Sequence, residues 1–145
     1  PWFPAEVMAQ RVGDMMFERY VDYSCVDFEN ATYKQLAERY NAAYKRLFDN
    51  NAFSGYVMVK MVADAIARTK SADPKVIAEA IRKGSFNQPG YGWPLAYTEW
   101  GEMKGAKPIL YTYEKGDPGK INAGASWRQK LVFRTPVVEP YVPKD

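Results

Sequence analysis

The sequence predicts an α/β fold class. Three stretches carry apolar residues at helical spacing, a few short β-rich runs lie between and beyond them, and the composition is that of a folded globule. Of 145 residues, 47% are hydrophobic and 26% charged, which is enough to bury a core and too apolar for wholesale disorder. The strands are too few and too scattered for a complete doubly wound sheet, so the expected architecture is an incomplete one.

Pro4-Ala5-Glu6 reads as a helix start, with proline in the first turn and an acid at the positive end of the dipole. Val7, Met8 and Val12 are its expected buried positions, and Gly13-Asp14 ends or interrupts it. Residues 18–23 (Glu-Arg-Tyr-Val-Asp-Tyr) are a strand candidate by aromatic and β-branched content. The clearest helix follows. Tyr33, Leu36, Ala37, Tyr40, Tyr44 and Leu47 form one stripe of a 3.6 period, with Asn30 or Thr32 as cap and the cluster Asp49-Asn50-Asn51 as terminator. A second helix is expected from an N-cap at Ser54, burying Met58, Met61, Val62, Ala65 and Ile66. A third begins at Asp73-Pro74 and presents Val76, Ile77, Ala80 and Ile81, with Gly84 as its left-handed cap after Arg82-Lys83. Beyond Gly84 the chain turns to β structure. Residues 95–100 and 126–133 are strand candidates, and Pro108 to Tyr113 is the best strand. The tail from Thr135 carries three closely spaced prolines and is extended.

Composition removes several function classes. The chain has no histidine, which excludes imidazole-based triads and histidine zinc sites, and its one cysteine, Cys25, makes neither a disulfide nor a CxxC pair. Neither GxGxxG nor GxxxxGK[ST] occurs, so no phosphate-binding cofactor loop is present and no cofactor or metal is expected. The net charge of +3 spreads over 20 basic and 17 acidic residues with no basic stripe, so nucleic acid is not an expected partner. No apolar run reaches the ~18 residues of a membrane span. The opening Pro1-Trp2-Phe3-Pro4 has no initiator methionine and no signal-peptide pattern, so the expectation is a processed product or a piece of a longer polypeptide.

What remains is a candidate for ligand binding. Tyr20, Asp22, Tyr23 and Ser24 lie near the end of a strand candidate, and in open α/β sheets ligands sit beyond the carboxyl ends of strands. Phenols, a hydroxyl and a carboxylate suit a small polar solute against aromatic walls; the alternative is that these tyrosines pack the core. Trp93 and Trp100 either wall a cleft or pack. The acid pairs Glu99/Glu102 and Asp22/Asp27 suit carboxylate-dependent hydrolysis only if they converge, and no spacing forces that.

The order of several motifs resembles a known family. Val12-Gly13-Asp14, the helix from Phe28 to Tyr44, Ser54-Gly55-Tyr56-Val57, the run from Ala63 to Pro74 (Ala-Asp-Ala-Ile-Ala-Arg-Thr-Lys-Ser-Ala-Asp-Pro) and the closing Glu139-Pro140-Tyr141 are similar to the C-terminal part of type 1 periplasmic substrate-binding proteins of ABC transporters, the branched-chain amino acid (Leu/Ile/Val) class. The turn at Tyr97 to Glu102, the residues 89–94 and the loop 116–127 depart from the family pattern. The resemblance implies part of a two-lobe Venus flytrap fold. Residues 1–52 would be a segment of the C-terminal lobe, 53–104 a segment returning to the N-terminal lobe with a crossover at Phe53 to Tyr56, and 105–145 a strand and tail back in the C-terminal lobe. It implies a non-enzymatic, periplasmic or extracytoplasmic protein that captures an amino acid or analogue in an interlobe cleft. Its partners would be an ABC permease and an N-terminal part of the same protein that supplies the main recognition residues. Tyr20, Asp22, Tyr23 and Ser24, with Tyr56 at the crossover, are then the expected cleft residues. The alternatives are a sensory or interaction domain of the same fold, or a small carboxylate-dependent hydrolase.

Overall fold

The computed structural model describes residues 5–17, 19–88, 90–119 and 125–140. Pro4, Glu18, Pro89 and Tyr141, which figure in the expectations above, lie outside the described residues.

The chain is mixed α and β, with four α-helices and two small antiparallel sheets among the described residues. Helix α1 (Ala5–Val12) runs into a 3-10 turn (Gly13–Met16), where Gly13 takes φ +53°, a conformation that favours glycine. Met16 is buried at its end, whereas Val12 is exposed. Strand β1 (Val21–Ser24) follows, then α2 (Ala31–Tyr44), whose N-cap is Asn30; its side chain accepts from the backbone N–H groups of Thr32 and Tyr33. The stripe expected on α2 is buried at Tyr33 and Ala37 and half-buried at Leu36 and Tyr40, but Tyr44 lies on the surface.

Helix α3 (Asn50–Thr69) starts four residues before the expected cap at Ser54. Asp49 caps it instead, accepting from Ala52 N–H at 2.8 Å, so the polar cluster read as a terminator is the start of the next helix. Phe53 to Tyr56, the expected crossover, therefore lies within the first turns of α3. Its buried face is Phe53, Val57, Met61 and Ala65; Met58, Val62 and Ile66 are exposed. Helix α4 (Pro74–Lys83) begins as the sequence requires, with Asp73 accepting from Lys75 N–H and proline in the first turn. It ends differently, because Gly84 is extended (φ −83°, ψ 167°) and leads directly into β2. No residue of α4 is fully buried.

The short hairpin β2 (Ser85–Phe86) and β3 (Leu95–Ala96) forms one sheet. The other has the order β1-β4-β5, with β4 (Ile109–Lys115) in the centre and β5 (Trp127–Arg134) on the far edge. Val21 pairs with Thr112 and Ser24 with Ile109, and the β4–β5 register shifts between Leu110 and Tyr111 at an irregularity of the β-bulge kind. The chain thus leaves this sheet after β1, makes the excursion α2–α3–α4–β2–β3, and returns to pair β4 with β1. The core is aromatic. Phe28, Tyr33, Phe48, Phe53, Tyr111, Tyr113 and Trp127 are buried and make edge or tilted ring contacts, such as Phe28–Tyr111 at 5.5 Å and Tyr113–Trp127 at 5.2 Å, and Phe86 is buried with them.

Candidate functional site

Alternation along β1 decides the roles of three expected site residues. Asp22 and Ser24 face the core and are buried, while Val21 and Tyr23 face outward, Tyr23 being 62% exposed. Asp22 Oδ2 accepts from the Tyr111 hydroxyl at 3.1 Å, and Oδ1 accepts from Tyr23 N–H at 2.8 Å. The Tyr113 hydroxyl in turn lies 3.5 Å from that of Tyr111. Tyr20, half-buried, stacks against Tyr113 with ring centroids 6.4 Å apart. Burial, first, then the Asp22 charge push the Tyr20 phenol above its ordinary pKa. Burial pushes Tyr113 up to about 12, helped by Asp22 and Tyr20 and opposed by its hydrogen bond to Tyr111. Tyr111 is raised further, by burial and by Tyr113. Asp22, Tyr111 and Tyr113 are therefore one hydrogen-bonded cluster, with the Tyr20 ring stacked at its edge. Its hydrogen bonds are made inside the protein.

Ser24 serves the turn after β1. Its Oγ accepts from Val26 N–H at 2.9 Å and lies 3.4 Å from Asn50 Oδ1 at the start of α3. The next residue, Cys25, is a free, half-buried thiol whose pKa burial raises, the opposite of what a nucleophile needs. Asp22 and Asp27 are divided between separate partners. Asp22 is turned toward Tyr111, whereas Asp27 receives both Nε and Nη2 of Arg134, at 3.3 and 3.0 Å. Among the described residues, no group of three or more Cys, Asp and Glu side chains gathers where a metal ion would sit, and no helix is long and apolar enough to cross a membrane.

Tyr56 stands apart from the β1 residues. It lies on α3 and lines an open groove of about 830 Å³ between α2 and α3, together with Arg39, Tyr40, Tyr44, Phe48 and Ala52. Helical periodicity explains the lining. Leu36, Arg39, Tyr40, Ala43 and Tyr44 fall on one side of α2, and Ala52 and Tyr56 are one turn apart on α3. The Tyr40 and Tyr44 rings sit 4.8 Å apart and Tyr40 contacts buried Phe48 at 5.0 Å, so the aromatic wall is anchored in the core. The volume suits a small molecule. The groove offers a mostly apolar floor, tyrosine rings and one guanidinium.

The structure thus buries Asp22 and Ser24 with Tyr20 half-buried beside them, turns Tyr23 to the opposite face, and sets Tyr56 in a groove with residues the sequence did not single out for binding. Arg39 carried no signal. Tyr44 belongs to the expected core stripe, but it is the last residue of α2 and lies on the surface. No protein-family model, curated protein or solved structure matches this chain.

Proposed function

We propose that this chain is a segment of the solute-binding component of an ABC importer, a two-lobe receptor of Venus flytrap architecture acting outside the cytoplasm and docking on a permease. Its solute is an amino acid or a similar small polar or aromatic molecule. The role is binding rather than catalysis. The observation that carries this reading is the groove between α2 and α3. It joins residues 36–52, from the segment assigned to one lobe, with Tyr56 from the segment assigned to the other. Arg39 meets a solute carboxylate, with the planar, charge-assisted geometry guanidinium groups favour. The rings of Tyr40, Tyr44 and Tyr56 cover its side chain.

Two further features support it. The sheet is left after β1 and re-entered at β4, the order of segments that the resemblance implies, although here the excursion and the sheet share one core. In addition, Met58, Val59, Val62 and Ile66 on α3 are exposed, and α4 buries no residue completely, so this helical pair offers an apolar surface to a further part of the same receptor.

The test is calorimetric titration with a panel of L-amino acids, alongside native mass spectrometry of the purified chain. The expected result is saturable binding of at least one amino acid, weakened about tenfold or more by Arg39→Ala and by Tyr56→Ala. Binding that both variants leave intact would place the solute elsewhere. A chain that is monomeric, carries no adduct and binds none of the panel would show that the α2–α3 groove is not by itself a solute site.

A further inference from the structure

A second opening lies on the connection between β2 and β3. It measures about 480 Å³ and is lined by Asn87, Gln88, Tyr91, Gly92, Trp93 and Pro94. Two polar atoms on this connection are buried and have no hydrogen-bond partner among the described residues: Gln88 Oε1 and Trp93 Nε1. Their residues are 7% and 9% exposed. Buried polar groups in folded proteins are nearly always satisfied, so two orphans on one short connection call for an explanation.

Tyr91 fastens the connection to the core. A turn is closed by Tyr91 N–H on Gln88 C=O at 3.4 Å, with Gly90 at φ +96°. The Tyr91 ring packs on Phe53 at 5.3 Å and on Trp93 at 5.4 Å. Burial, first, and the neighbouring Cys25 and Tyr97 raise the Tyr91 phenol, while hydrogen bonding from Ser54 opposes them. Tyr91 is therefore a neutral wall, pinned to α3, and the two orphan atoms stand on either side of it in sequence.

The chemistry of the orphans restricts what they take. An indole N–H only donates, and an amide Oε1 only accepts. A matching ligand therefore presents one acceptor and one donor. All six lining residues are uncharged. A carboxylate or ammonium there would lose hydration without meeting an opposite charge, so the ligand group is neutral. A single water fills about 30 Å³, an order of magnitude less than this opening.

We propose that the β2–β3 connection is a binding site for a neutral amide group, with Trp93 Nε1–H donating to the amide oxygen and Gln88 Oε1 accepting from the amide N–H. Tyr91 and Pro94 supply apolar walls on either side. The amide belongs either to a free small molecule or to a peptide segment. The site is separate from the α2–α3 groove and holds whether or not the chain serves a transporter.

The experiment is a titration of the whole chain followed through the tryptophan indole N–H resonances in proton–nitrogen correlation spectra, with the Trp93 signal assigned by Trp93→Phe. The probes are N-methylacetamide, the blocked peptide N-acetyl-glycyl-glycinamide, and acetate as a charged control. The expected result is a saturable shift of the Trp93 resonance with an amide probe and none with acetate. Gln88→Met should weaken that binding about tenfold, the loss of one hydrogen bond to a buried group. Gln88→Asn, which withdraws the acceptor by one methylene, serves if Gln88→Met disturbs the fold. A blocked peptide that binds at least about tenfold tighter than N-methylacetamide identifies a peptide segment, and equal affinities identify a free amide. The proposal is overturned if neither amide shifts the resonance, if acetate shifts it equally, or if both Gln88 variants bind like the original. It is also overturned if a water contact on the Trp93 indole persists at saturating probe.

Discussion

Replacing Gly90 by alanine tests how the β2–β3 connection is fastened to the core. Gly90 is buried at φ +96°, and a Cβ there would come within 2.5 Å of Phe53 Cζ and 2.6 Å of Phe53 Cε2. Ordinary carbon contacts are about 3.5–4.0 Å, so the overlap is about 1 Å. The Phe53 ring has nowhere to go. It is 0% exposed and is flanked by Tyr33 at 5.4 Å, Phe48 at 6.0 Å and Tyr91 at 5.3 Å. Overpacking of this kind costs about 1–3 kcal/mol, and holding a non-glycine residue in this backbone region costs about 1–3 kcal/mol more. Gly90→Ala should therefore destabilise the chain by about 3–5 kcal/mol, a large share of the stability of an ordinary domain. Urea unfolding monitored by circular dichroism reads this as a lowered midpoint at unchanged slope. The same substitution in a Phe53→Leu background separates the two parts, because the smaller side chain relieves the overlap and leaves the backbone strain. About half the cost should vanish there. A loss under about 1 kcal/mol, or an identical loss in both backgrounds, would refute the packing of Gly90 on Phe53.

Alkaline pH should unfold the chain before its exposed groups explain it. Tyr113 has its pKa raised from 10.0 to about 12, so the folded state holds its proton while the unfolded state releases it. Stability is thus complete below pH 10 and declines as the pH rises toward 12, by about 3 kcal/mol for this group alone; Tyr113→Phe should flatten the decline when unfolding free energy is measured against pH. Asp49→Ala should cost about 1 kcal/mol in the same urea assay, because Asp49 caps α3; no loss would restore the later helix start. Tyr111→Phe should cost about 1–3 kcal/mol, since its hydroxyl donates to buried Asp22, whereas Tyr44→Phe should stay within about 0.5 kcal/mol, since Tyr44 is 65% exposed.

Features that a few neighbouring residues decide were legible in the sequence. Asp73 caps α4 as read, and of the two caps open for α2 it is Asn30 that serves, because the capping bond spans only two or three residues. The best strand is the central one, β4, for the same reason that it was the best: Ile109, Tyr111 and Tyr113 are β-formers that also face the core. Features set by distant partners were not legible. Helix α3 is apolar on two sides, and periodicity alone does not choose between the Phe53–Val57–Met61–Ala65 face and the Met58–Val62–Ile66 face; the packing of Phe53 on Tyr33, Phe48 and Tyr91 makes that choice. On β1 the usual polarity is inverted, with Asp22 inside and Tyr23 outside, because a hydroxyl 89 residues away supplies the carboxylate with a donor. The two-residue strand β2 is too short to leave a pattern. Of the candidate groove only Tyr56 was marked in advance, since Arg39 becomes significant only when α3 packs across α2.

The tyrosines divide by what their hydroxyls touch, and the division separates fold from function. Tyr33 donates to the Phe48 carbonyl at 2.6 Å, Tyr111 to Asp22, and Tyr113 to Tyr111. These phenols are buried, and burial pushes each pKa up, so each stays neutral and keeps its hydrogen bond at any physiological pH. Such a phenol is satisfied by the protein and has little left to offer a ligand. Tyr40, Tyr44 and Tyr56 are different. They keep part or most of their surface in solvent and line a groove, where ring contact fixes Tyr40 against Tyr44. An aromatic-rich composition therefore does not by itself announce a binding protein, because most of these rings build the core. The informative tyrosines are those that the helical stripe carries past the edge of the core, where the same spacing that packs Tyr33 and half-buries Tyr40 leaves Tyr44 facing Tyr56 across the groove.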